Sequence, residues 1–440
     1  MKNFYLVVLL ILFLISPVLA QPTTESSGKT FSSESIAFQD PPHFRIISAD
    51  SLNGKPMHDY FFLVKAKLNG VYDINGGMYE ETFNAGKIPV WDTDDQQRFW
   101  MDMHQSQVRF RGQSETENGT YTAYMEGDFW GGSKHFRLRH MWFEYKFADI
   151  GNNWSFVGHL GQDWSFFGDK EIWPNVFEWD GPSSGVWRRE PELRFWFENS
   201  SNLRLEFGAA QPGPELYFAN NVDPTLTSAQ QSVPDFIGAI NQKFGFGHLR
   251  LTGIYRNLEY RNDAGNQSET GYGGTFSGYV STNSETDNPI QFQIVAGKGI
   301  ATYLVSFSGM NYDATPNGLG DMETVPTIGG WASYEHWFSK SWHANLVLGF
   351  SEFHAKEVNS FTIEGPRYRA YNTSVDVSIQ YFLLNLMWDP IPAVVLGIEW
   401  NLGKRANKYE GEIHTEEGVQ SSVEESRIAN RISFGAFFNF

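Results

Sequence analysis

Arginine alternates with apolar residues along several stretches of this chain: Arg109 and Arg111 around Phe110, Arg137 and Arg139 around Leu138, Arg194 between Leu193 and Phe195, and Arg204 between Leu203 and Leu205. Guanidinium groups stay charged at any ordinary pH and present a planar fork of donors that matches carboxylate and phosphate. Glu126 and Asp128 alternate in the same way on an intervening stretch and are candidates to pair with some of these arginines. Two outcomes stand open: a structural lining of ion pairs or, because Arg outnumbers acid, an electropositive surface that attracts anions. A second basic site, Arg188-Arg189, closes a long segment (167–190) that also carries Trp173, Trp179 and Trp187. Folded inward, that segment would add its two charges to the others; folded outward, its aromatics would pack among themselves.

Catalytic chemistry has little support. Cysteine is absent, which excludes thiol nucleophiles, zinc–thiolate sites and disulfides. The 11 His are scattered and no Gly-x-Ser-x-Gly elbow occurs. His140 and His159 lie on strand-like stretches, where an interior or girdle position is expected rather than catalysis. Gly271-Tyr272-Gly273-Gly274 lies in an apparent strand, with no helix to hold a phosphate. No catalytic residue, metal site or cofactor is therefore expected. Nucleic acid is disfavoured by the net charge of -18.

The elements that must position the arginines are β-strands, whose side chains point to alternate faces. Val394, Leu396, Ile398, Trp400 and Leu402 oppose Ala393, Gly397, Glu399 and Asn401, and Leu193, Phe195 and Phe197 oppose Arg194 and Glu198, with Trp196 on the arginine face. From Asp59 onward about sixteen such stretches follow, among them 98–112, 119–131, 136–148, 247–261, 270–282, 290–306, 371–388, 393–404 and 427–440. If the apolar faces meet lipid, the arginines face a wet interior; the reverse costs about 2–4 kcal/mol per Arg at mid-membrane. Short turns are expected at 199–201 and 388–392, and long loops at 70–97, 167–190, 212–233, 307–326 and 404–426. Acidic residues gather near those loops, including Asp92, Asp94, Asp95, Glu115, Glu117, Glu416, Glu417, Glu424 and Glu425. They form either a solvated rim or sites for divalent cations that bridge to lipopolysaccharide.

Both ends of the chain point to a membrane. Lys2, an apolar run from Phe4 to Ile15 and Val18-Leu19-Ala20 read as a signal peptide over residues 1–20, too short to span a bilayer. At the other end, Ser433-Phe434-Gly435-Ala436-Phe437-Phe438-Asn439-Phe440 resembles the closing-strand signal of bacterial outer-membrane barrels, with Gly435, Phe438 and Phe440 as the features an assembly machinery would read. Mean hydropathy is -0.38, so residence in a membrane requires a closed barrel rather than helices. High aromatic content (16%) and 42 Gly suit aromatic girdles and tight turns. The expected fold is all-β: a transmembrane antiparallel β-barrel of about sixteen strands over residues 56–440, in the bacterial outer membrane, with short periplasmic turns and long extracellular loops. Residues 21–55, rich in Ser, Thr and Pro, are expected to be a flexible periplasmic leader. A soluble β-sandwich is the rival fold.

The chain also resembles the DcaP-like outer-membrane channels of the porin superfamily. The likeness lies in Glu126-Gly-Asp-Phe-Trp-Gly131, Leu138-Arg139-His140, Gly161-Gln-Asp-Trp-Ser-Phe166, Arg189-Glu-Pro-Glu-Leu-Arg194, Asn385-Leu-Met-Trp-Asp-Pro-Ile-Pro392, Leu396-Gly-Ile-Glu-Trp400 and Gly403-Lys-Arg405. What the resemblance implies is a sixteen-stranded homotrimeric barrel that passes small hydrophilic solutes, leaning toward anions such as dicarboxylates, with Arg137, Arg139, Arg189 and Arg194 lining the pore. Residues 21–55 depart from the family, being too short and Pro-rich for an N-terminal coiled coil. Alternatives are a channel specific for sugars, phosphate or aromatic acids, for which Trp196 beside Arg194 is relevant, and a lipid hydrolase.

Overall fold

The computed structural model describes residues 44–439 apart from 53–54, 79, 91–94, 148–149, 152, 218–227, 263–264, 283–287, 317–321, 359–360, 363–368 and 416. The expected signal peptide, the leader up to residue 43 and Phe440 lie outside the described residues, as do Asp92, Asp94 and Glu416 of the acidic rim.

Strands dominate. The first are β1 (Phe44–Leu52), β2 (Lys55–Asn75), β3 (Arg98–Asp102), β4 (Gln107–Thr116), β5 (Gly119–Gly131), β6 (His135–Phe147) and β7 (Trp154–Trp164). They are followed by β8 (Arg189–Asn199), β9 (Leu203–Ala210), β10 (Ser228–Gln230), β11 (Asp235–Phe244), β12 (Gly247–Asn262), β13 (Gly265–Ser281) and β14 (Pro289–Lys298). The last are β15 (Ala314–Pro316), β16 (Met322–Thr324), β17 (Pro326–Trp337), β18 (Trp342–Val358), β19 (Phe361–Thr362), β20 (Arg369–Ile391), β21 (Val394–Thr415) and β22 (Gly418–Asn439).

Every wall pairing is antiparallel, and β22 returns to β2, with Lys65 opposite Asn439 and Val71 opposite Ser433, so the sheet closes. Because β3 and β4 occupy one wall position beside β2, and β10 and β11 one beside β12, the closed wall has 16 strands. Closure satisfies the backbone groups that an open edge would leave bare in lipid. β1 pairs with the start of β2, Phe44 opposite Phe62, in line with the end of β22. The segment expected to be an unstructured leader thus contributes a strand.

The outward face is apolar. Ile398, Trp400, Leu138, Leu193, Phe207, Leu251 and Phe434 are exposed, whereas the adjacent Glu399, Asn401, Arg139, Arg194, Arg250 and Ser433 are buried inside. This is the alternation read in the sequence, and it excludes a sandwich, whose apolar faces would be covered.

Several connections differ from expectation. Residues 404–426 form no loop: β21 and β22 continue as a tall hairpin to Thr415 and Gly418, because polar residues at both faces sustain a ladder as well as apolar ones once a strand has a paired neighbour. The expected strand at 290–306 ends at Lys298, and residues 300–307 are almost entirely buried within the barrel. β12 and β13 run on to Asn262 and Gly265, so not every connection at that end is long.

Candidate functional site among three inward segments

Three stretches at the end opposite the C-terminus enter the lumen: 80–90, 165–188 and 299–313. Inside it Phe83, Ala85, Ile88, Phe166, Phe167, Val186, Leu304 and Phe307 form one apolar cluster with wall residues such as Val347, Ile379 and Tyr381. Part of the interior, expected to be wet, is a core, because apolar loop side chains find inward apolar wall residues to pack against. The segments also bond to one another. Asn84 Nδ2 donates to the Val305 carbonyl at 2.9 Å, and the Val305 and Ser306 amides donate to the Gly185 and Ser183 carbonyls at 3.0 and 2.8 Å.

The segment 165–188 crosses the lumen rather than folding outward. Its Asp169 carboxylate accepts from Ser277 Oγ at 2.8 Å and lies 2.9 Å from His248 Nε2. The Val186 amide donates to Gln293 Oε1 at 3.0 Å, and the Phe177 and Glu178 amides donate to the Glu399 carboxylate at 2.8 and 3.0 Å. Wall strands β12 to β14 hold its two ends, and β20 to β22 hold its middle. Burial lifts the Glu178 carboxyl to about 7, with Arg431 opposing and Asp180 and Glu399 adding to the rise. Burial also raises the Asp180 carboxyl.

Phe177 has a made seat. Gly397 and Gly435 are register partners on β21 and β22 and face inward. A Cβ on Gly397 would lie 2.4 Å from the Phe177 ring, and one on Gly435 3.0 Å. Phe437, also inward, stacks on Phe177. Burying such a ring contributes about 1.5–3 kcal/mol. Lys67 completes the seat by donating to the Phe177 carbonyl and to Gln105 Oε1.

Against this segment stands the charged ladder on β4 to β6. Arg109 Nε lies 3.1 Å from Glu126 Oε2, and Arg139 Nε donates to Glu126 Oε1 at 2.6 Å. Arg139 Nη1 reaches Asp128 Oδ2 at 3.0 Å, and Arg137 binds both Asp128 oxygens, at 3.0 and 2.7 Å. A bulge sets Glu126 opposite His140 and Gly127 opposite Leu138, so Arg139 and His140 both turn inward, which strict alternation forbids. Arg139 lies over Trp179 of the crossing segment at 4.4 Å and over Trp164 at 5.7 Å, and Arg189 over Trp164 at 5.2 Å. Among the described residues Arg189 has no carboxylate or hydrogen-bond partner; Arg111 donates to Gln113 at 2.9 Å.

The other expected arginines are drawn into separate pairs. Arg194 and Arg250 share the buried Glu206. Arg204 lies 3.4 Å from both Glu171 and Glu198, and Arg188 lies 3.1 Å from Glu190 while donating to Thr302 Oγ1 at 3.0 Å. Arg194 and Arg204 both flank the inward Trp196, at 5.1 and 5.5 Å. Glu171, Glu190 and Glu206 were not singled out as partners from the sequence, because their proximity depends on register and on the loop's path. Arg109, Arg137, Arg139 and Arg189 thus come together, with Glu126 and Asp128, while Arg188, Arg194 and Arg204 belong to neighbouring pairs.

No protein-family model matches this chain, and no curated protein does either. Solved structures do. The outer membrane channel DcaP of Acinetobacter baumannii is 16% identical, with 90% of this chain and 100% of that one covered and a TM-score of 0.63. An anion-selective porin from Comamonas acidovorans is 10% identical over 87% of this chain and 100% of its own, with a TM-score of 0.52. The trimer form of OmpT from Vibrio cholerae is 9% identical over 87% and 99%, with a TM-score of 0.50. At these identities the likeness is one of fold: the closed antiparallel barrel resembles that of DcaP, the resemblance the ordered motifs of the sequence carry.

Proposed function

We propose that this chain is an outer-membrane channel giving passive diffusion to small anions, dicarboxylates among them, through a slot between the β4–β6 ladder and the crossing segment 165–188. The observation that carries the reading is Arg189, a guanidinium without an acidic partner among the described residues, over the Trp164 indole that it shares with Arg139 of the Arg137–Asp128–Arg139 cluster. An anionic solute would find there a fork of donors in a low-dielectric setting, where charge–charge attraction exceeds its value in water. Long loops would face outside and both chain ends the periplasm. The C-terminal Gly435, Phe438 and Phe440 would serve the assembly machinery, and the apolar outer wall would meet lipid and lipopolysaccharide. A homotrimer is supported by the trimer form of a barrel of like fold.

Single-channel recording in a planar bilayer under a salt gradient, then with succinate, tests the reading. Stepwise currents with an anion-favouring reversal potential, interrupted by succinate, are expected; no conductance from correctly folded protein would overturn it. A second reading, preference for aromatic acids, is favoured by the stacked Trp130 and Trp179, 6.2 Å apart, beside Arg139. Stronger block by benzoate than by succinate would select it. The channel-like fold favours either reading over lipid hydrolysis.

A further inference from the structure

His159 and Asp163 stand four residues apart on β7, and Glu192 on β8 is the register partner of Gly161 between them. Period two therefore brings the three side chains to one inward face, and the position between His159 and Asp163 carries no side chain. His159 Nε2 lies 3.7 Å from Asp163 Oδ2 and 3.8 Å from Glu192 Oε1, and one ligand atom from each residue lies within 4.8 Å of the others. All three residues are at least nine-tenths buried. Yet among the described residues neither His159 Nε2 nor either carboxylate oxygen of Glu192 has a hydrogen-bond partner. Buried polar atoms left in that state are costly, and three on two adjoining side chains facing the same space call for an occupant.

We propose that His159, Asp163 and Glu192 bind a divalent transition-metal ion of the zinc type, with His159 Nε2 and one oxygen from each carboxylate as ligands and water completing the shell. A tetrahedral zinc site with bonds of about 2.0–2.2 Å sets its donors roughly 3.3–3.6 Å apart, so the two separations from His159 need contract only slightly. The surroundings are those of a metal site. Glu144 Oε2 lies 3.6 Å from His159 Nδ1, on the far side of the ring, where a carboxylate fixes the tautomer that leaves Nε2 for the metal. His140 Nδ1 lies 3.0 Å from Asp163 Oδ1, a second imidazole against the site.

Two cations adjoin the trio: Lys170 Nζ at 2.9 Å from Asp163 Oδ2 and Arg194 Nη1 at 4.0 Å from Glu192 Oε1. With Glu144, three carboxylates face these two charges, so a dication is accommodated once Lys170 withdraws. Lys170 is partly exposed and belongs to the crossing segment, which links occupancy of the site to the seating of that segment. An imidazole donor selects against calcium and magnesium, which prefer oxygen alone. The inference is independent of which solute passes.

The test is titration of zinc into the refolded protein by calorimetry, with X-ray absorption at the zinc edge. One site per chain with a single imidazole and oxygen donors is expected. Glu192→Gln is expected to weaken it at least about tenfold and Glu144→Gln about 10–100-fold, while Lys170→Ala strengthens it about fivefold. The exposed pairs His354–Asp376 and His414–Glu412 are rival zinc binders, so His354→Ala with His414→Ala must leave the site intact. No zinc binding by the wild type, or binding unchanged in Glu192→Gln and lost in the surface double variant, overturns the proposal. Should Glu192→Gln not fold, Lys170→Ala decides: tighter binding supports the site, and unchanged or weaker binding refutes it.

Discussion

The rings of Phe177 and Phe437 lie parallel, 4.9 Å apart with planes inclined by 5°, over the side-chain-free patch at Gly397 and Gly435. One residue comes from the middle of the crossing segment and the other from the strand that closes the barrel. The crossing segment is therefore anchored to the wall at a point where its ring fits and a Cβ would not.

Removing that ring should release the segment. Phe177→Ala deletes a buried aromatic worth about 3–5 kcal/mol, so single-channel conductance should rise and hydrogen exchange across 165–188 should accelerate. Gly397→Val should act alike by filling the seat, since a Cβ there meets the Phe177 ring first. A wild-type conductance in both variants would place the solute path elsewhere.

Arg137→Ala combined with Arg139→Ala should move the reversal potential toward cation preference. The swing exceeds a simple loss of two charges, because Asp128 then keeps no arginine among the described residues and Glu126 keeps only Arg109. An unaltered ion preference would mean the ladder is structural only.

Seating of the segment should weaken as pH rises. Glu178 is lifted from 4.5 to about 7, so the folded state holds its proton more tightly than the unfolded chain. The stabilisation from burying the neutral acid is complete below about 4.5 and is lost as pH climbs through about 7. Open-state conductance recorded from pH 5 to pH 8 should increase, and Glu178→Gln should flatten the profile. A flat wild-type profile would refute the link.

Arg256 is wholly buried between Asp235 at 3.0 Å and Asp313 at 2.8 Å, and it also donates to the Gly299 carbonyl at 2.6 Å. Arg256→Met leaves two buried carboxylates without their countercharge, a loss of about 3–5 kcal/mol. The heat-induced shift in electrophoretic mobility should occur at a lower temperature, and Arg256→Lys should restore part of the difference.

The sequence was most legible where the physics is local. Alternation alone put Arg109, Arg139 and Arg194 inside and Leu138, Leu193 and Ile398 outside, because a strand's faces follow from residue parity. What escaped it was non-local. Glu206 sits between Arg194 and Arg250 only because of the pairing register, and no parity rule anticipates the bulge that turns both Arg139 and His140 inward. The path of residues 165–188 depended on a complementarity between Phe177 and two glycines some 220 and 258 residues away in the chain, roughly counted. The same holds for His159, Asp163 and Glu192, whose donors converge across two strands and match no linear spacing.

The seat of Phe177 also bears on the order of events during assembly. Gly435 and Phe437 lie on the final strand, which additionally carries Arg431, bonded to Asp73 and to the Glu80 carbonyl of the first inward segment at 2.6 and 2.8 Å. Until β22 joins β2, Lys67 on β2 stands apart from Gly435 and Phe437, so the seat is incomplete and the first segment lacks one of its holders. Narrowing of the lumen is thereby deferred to the last pairing step, so a barrel still unzipped at its seam would have a wider interior than the finished molecule.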